Sequence, residues 1–124
     1  SNGRFHEALE AANRALLSSD ERIRYDAMPV KHITLMSLGH FDEAVVISEL
    51  ILERTAKDHP PDSDQVQSDK YVYAMSLAAS GRANEAASIL KEVVLTQTRV
   101  FGRDHSTTQE FAGALADVER MVNT

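Results

Sequence analysis

With 124 residues and a formal charge of −6, the chain has the length of one domain, enough to bury roughly 65% of its unfolded surface. That charge argues against a nucleic-acid binder, which needs a basic face to neutralise phosphates. This chain has no cysteine, which excludes a disulfide framework or thiolate metal site, and no apolar run approaches the roughly 20 residues of a membrane span. "AVVISELIL" is short and holds a glutamate, and Arg4 is followed by no apolar signal core. The expectation is therefore a soluble protein of the cytoplasm.

In chain order, a first helix is expected over about 4–17. "SSDE" then supplies a stop and a start, with Ser18 three residues before Glu21 in the spacing of a capping box. Helical spacing continues to Leu38 but is interrupted by Pro29, which breaks a hydrogen bond inside a helix. The expected solution is a helix over 26–38, capped by Asp26 with Pro29 in its first turn, or else a kink at the proline. Gly39 ends it as a left-handed residue. Further helices are expected over 41–55, 64–80, 83–100 and 107–122. "KDHPPDSD" is a loop, and "FGRDHSTTQ" is a turn in which Ser106 and Gln109 again fit the capping box. No segment alternates long enough to be a strand.

Three of these helices are copies of one another. "GRFHEALEAANRAL" from Gly3, "GHFDEAVVISELIL" from Gly39 and "GRANEAASILKEVV" from Gly81 share apolar or small positions at offsets 0, 3, 4, 7, 10 and 11, one stripe of an α-helix. In this register Gly3, Gly39 and Gly81 are the turns, and Ala8, Ala44 and Ala86 are matching contact positions. Gly3 to Gly39 spans 36 residues and Gly39 to Gly81 spans 42, and each interval holds two helices. A lone pair cannot bury its stripe, so pairs must stack. The fold class that follows is all-α: a right-handed α-solenoid of antiparallel helix hairpins, with about six helices forming one domain over 1–124.

The residues Gly3, Phe5, Glu7, Ala8, Ala15 and Leu16, and again Gly39, Phe41, Glu43 and Ala44, resemble the signature of the tetratricopeptide repeats. The longer spacing and "VFGRDHSTTQEFAGALADV" are similar to the kinesin light chain subtype, and "KDHPPDS" is a degenerate form of the same turn. Lys31 and His32 depart from the pattern, standing where it has a Leu-Ala pair. The resemblance implies a module that binds an extended or helical peptide in a concave groove lined by the first helix of each hairpin. If Ala74 and Leu77 face the partner helix, the opposite stripe is Tyr71, Met75 and Ala78. Its equivalents are Pro29, Ile33 and Met36 in the earlier hairpin and Gly113, Asp117 and Arg120 in the last helix. A groove offering Ile33, Met36, Tyr71 and Met75 beside Asp117 and Arg120 suits a peptide with apolar anchors and a charge. The basic and asparagine set that clamps a terminal carboxylate in chaperone-binding relatives is missing.

Catalysis finds no support. The histidines His6, His32, His40, His59 and His105 form no paired metal spacing, and His59 and His105 are placed to fix turns. Glu7, Glu43 and Glu85 recur in first helical turns, where a carboxylate offsets the helix dipole. No glycine-rich phosphate loop exists, and Asp62, Asp64 and Asp69 lack the spacing of a calcium loop. The expectation is a protein–protein interaction module or scaffold without catalysis, cofactor or metal, the repeat segment of a larger regulatory protein. The alternative is a homodimer through the end helices, Phe5 to Leu16 and Phe111 to Val122.

Overall fold

The computed structural model describes residues 2–123, and among them every regular element is helical. The six helices are α1 (Asn2–Leu16), α2 (Glu21–Ser37), α3 (Phe41–Asp58), α4 (Asp64–Ala79), α5 (Ala83–Phe101) and α6 (Ser106–Val122). Each packs principally on the next in sequence, giving a helical-repeat solenoid of antiparallel hairpins.

The hairpin turns reproduce each other. At the end of α2 the His40 N–H reaches the Leu35 carbonyl at 2.8 Å and the Gly39 N–H reaches Met36 at 3.1 Å. At the end of α4 the Arg82 N–H reaches Leu77 at 2.8 Å and Gly81 reaches Ala78 at 3.1 Å. This is the Schellman pattern, which needs a left-handed residue after the helix, and Gly39 and Gly81 have φ of +79° and +91°. Gly3, expected as a third turn, lies instead inside α1. The turn needs the last carbonyls of a helix ahead of it, and among the described residues no helix precedes Gly3.

The packing positions agree as well. Leu35 and Leu77, 42 residues apart, and Ala44 and Ala86, likewise 42 apart, are all 0% exposed. The larger core joins Ala74, Leu77, Ala86 and Leu90 of α4 and α5 to Val118 of α6, and a smaller one joins Leu35 to Ala44 and Ile47. Alanines let the helix axes come close while leucines fill the gaps between them. Ala8, the third contact position, is only half-buried, because α1 is covered by α2 on one side.

Local sequence fixes the helix starts, not always where expected. Asp20 caps α2 by accepting the Arg22 N–H at 2.9 Å, while Ser18 accepts from the Asp20 N–H at 3.0 Å. The helix therefore begins at Glu21 instead of 26, and Asp26 is an exposed residue within it. Pro29 is carried inside α2; lacking an N–H, it leaves the Tyr25 carbonyl without its helical donor. Ser63 caps α4 through the Val66 N–H at 3.3 Å. At α6 the cap is His105, whose Nδ1 accepts from the Thr107 N–H at 3.2 Å, so Ser106 is a helical residue and not the cap.

Candidate interaction groove

A cleft of about 540 Å³ opens between α2 and α4, with α3 as its floor. Tyr25 and Pro29 form the α2 wall, Gln65 and Asp69 the α4 wall, and Ile51 and Arg54 the floor. A narrower extension of about 160 Å³ is bounded by His32, Ile33, Ser48 and Val72 and shares Pro29, Ile51 and Asp69 with the wide part. The α4 residues Gln65, Ser68, Asp69, Val72 and Ser76 are spaced i, i+3, i+4, i+7 and i+11, one stripe of the helix.

The narrow end is closed by a contact between His32 and Ser76. Ser76 donates its one hydroxyl proton to the Val72 carbonyl at 2.9 Å, so in the 2.7 Å contact between His32 Nε2 and Ser76 Oγ the imidazole is the donor. In the α4 hairpin the position equivalent to His32 is Ala74, which is fully buried. A ring in place of a methyl group thus bridges α2 to α4, and burial lowers its pKa from the ordinary histidine value of 6.5.

At the wide end the charges are unevenly matched. The Arg54 guanidinium lies 2.6 Å from Asp58 and 3.5 Å from Glu21, and 4.8 Å above the Tyr25 ring. Its charge is already met on three sides. Asp64, in the first turn of α4, benefits from the helix dipole. Asp69 is half-buried and makes no hydrogen bond or ion pair among the described residues. His59 Nδ1 lies 3.1 Å from the Thr55 carbonyl and fixes the turn after α3.

Of the residues nominated from the sequence, Pro29 and Ile33 line this cleft, and the others lie elsewhere. Ile33 is 64% exposed and lines the narrow part of the cleft, whereas Met36 packs half-buried against the smaller core. Tyr71 stacks on Phe111 of α6 with ring centroids 4.8 Å apart, and burial followed by Glu110 raises its pKa. Met75 is half-buried against the larger core. Ala78 is 9% exposed and belongs to that core, so it presents no groove surface. Asp117 and Arg120 are exposed and pair with each other, and Gly113 is exposed on the same helix. Tyr25, Ile51, Arg54 and Asp69 were missed. Asp69 was legible in principle, because it stands three residues before Val72 on a stripe adjacent to that of Tyr71 and Met75.

Among the described residues no group of three or more His, Asp or Glu side chains is placed to hold a metal, and no helix is long and apolar enough to cross a membrane. Stacked antiparallel hairpins with repeated turns define the helical-repeat class of fold. Residues 74–107, about a quarter of the chain, match the tetratricopeptide repeat family. That segment runs from the second half of α4 through the turn that made the sequence similar to the kinesin light chain subtype. Repeats of this family mediate protein–protein interaction. No curated protein and no solved structure matches the chain.

Proposed function

We propose that this chain is a docking module that grips a segment of a partner protein along its first-helix surface, as a scaffold arm of a larger regulatory protein in the cytoplasm. The observation that carries the reading is the α2–α4 cleft, an apolar trough over Ile51 rimmed by Tyr25, Ile33 and Asp69. Its dimensions suit an extended peptide, and its walls belong to rigid helices, so little ordering cost falls on the protein. The surface extends toward α6 through Tyr71 and Met75.

Panning a displayed random dodecapeptide library against the intact chain tests the reading. Enriched peptides should lose binding to Ile33→Asp, and to the double variant Tyr71→Ala with Met75→Ala if they extend toward α6, with helicity retained in each. Peptides that bind both variants undiminished refute the groove. A second reading, self-association through the end helices, is favoured by an apolar cleft of about 570 Å³ lined by Ala8, Ala11, Ala15, Ile23 and Val30. Light scattering over a concentration series decides it, since a persistent monomer counts against a dimer.

A further inference from the structure

We infer that the α2–α4 cleft selects a segment bearing a lysine or arginine between aliphatic residues, with the cation received by Asp69. This rests on the groove reading above and gives it a ligand chemistry.

Asp69 is the residue shared by the wide and narrow parts of the cleft, together with Pro29 and Ile51. It is half-buried, lies beside Val72 on the α4 wall, and has no cation or hydrogen-bond donor of its own among the described residues. A carboxylate partly withdrawn from water and unpaired favours a charged donor. The cation in the cleft cannot serve an anionic ligand well, because Arg54 already faces Asp58, Glu21 and the Tyr25 ring. Around the wide end the carboxylates of Glu21, Asp58, Asp64 and Asp69 thus outnumber the single guanidinium. The chain as a whole carries −6, which steers basic partners toward it and repels acidic ones. The remaining walls, Pro29, Ile33, Ile51 and Val72, are aliphatic. An aliphatic residue in the narrow part and a cation reaching Asp69 satisfy both sets of walls at once.

The test uses the intact chain and three pools of acetylated, amidated peptides. Their central residue is lysine, glutamate or norleucine, and the flanking positions are drawn from leucine, isoleucine, valine and proline. Each pool is titrated while the backbone amide resonances of the protein are followed. The lysine pool should move the resonances of Tyr25, Ile51 and Val72 with an apparent affinity about tenfold above the glutamate pool, the size of one charge-assisted hydrogen bond. Asp69→Asn should remove that advantage and leave the norleucine pool unaffected. If the glutamate or norleucine pool occupies the same cleft as tightly as the lysine pool, the cationic preference is overturned and the groove stands. If no pool moves the cleft resonances, the groove itself is refuted and the preference falls with it. Because the three pools are compared on the unaltered protein, the outcome does not depend on the variant folding.

Discussion

Replacing Ala86 by leucine tests the packing on which the stack depends. Ala86 is 0% exposed and sits in the core between Ala74, Leu77 and Leu90, so the three added carbons have no free space and must displace neighbours or the α4–α5 spacing. Overpacking of this kind costs about 1 to 3 kcal/mol. Against the 5 to 15 kcal/mol that holds a typical domain, such a loss is large. Ala8→Leu is the matched control. Ala8 occupies the same place in the repeat but is half-buried beside the α1–α2 cleft, where a larger apolar side chain can lie against Ile23 and Val30. It should change stability by less than about 0.5 kcal/mol or increase it slightly. Urea unfolding of the three proteins, followed by far-ultraviolet circular dichroism, gives both values on one scale. Equal effects at Ala86 and Ala8 would refute the argument, because the two sites would then not differ in the space around their methyl groups.

Two further outcomes follow from buried polar groups. His32 titrates below its ordinary value in the folded chain, so the unfolded chain takes up its proton first as pH falls. The stability it supports is complete above 6.5 and is lost as pH falls from there through the lower folded value, at no more than about 1.4 kcal/mol per pH unit. Unfolding curves between neutral and mildly acidic pH should be steeper in their pH dependence for the native chain than for His32→Ala, and identical slopes would contradict the role given to burial. Thr108 is 2% exposed and its Oγ1 has no hydrogen-bond partner among the described residues. Thr108→Val keeps the shape and removes the orphan hydroxyl, so it should stabilise by about 1 kcal/mol, and a lowered melting temperature would show that the hydroxyl is satisfied in solution.

The features that could be read from the sequence were those repeated within it. Gly39 and Gly81 announced their turns because only glycine takes a positive φ there without strain. Ala44 and Ala86 shared an offset from them, so the stripe of α3 and α5 and the all-helical fold followed from spacing. The start of α2 did not follow, because Asp20 and Asp26 are equally good caps in isolation and the choice was settled by α2 keeping a proline in its interior. The groove was legible only in part. Periodicity separates opposite faces of a helix well but adjacent stripes poorly, and the stripe of Asp69 and Val72 lies beside that of Tyr71 and Met75. Of the nominated residues Ile33 lines the cleft, while Ala78 turned into the core. The bridge from His32 to Ser76 joins residues 44 apart through a departure from the repeat, which no repetition could reveal.

Because each helix leans mainly on its sequence neighbours, the molecule resembles a zip more than a knot. Tension applied to the two ends should not rupture a central clasp in one event. It should peel the hairpins away in succession, beginning with α1, whose alanine face is covered on one side, and pausing where the imidazole of His32 and the stacked rings of Tyr71 and Phe111 tie one hairpin to the next. Such a shape lengthens stepwise under load and can close again when the load is released.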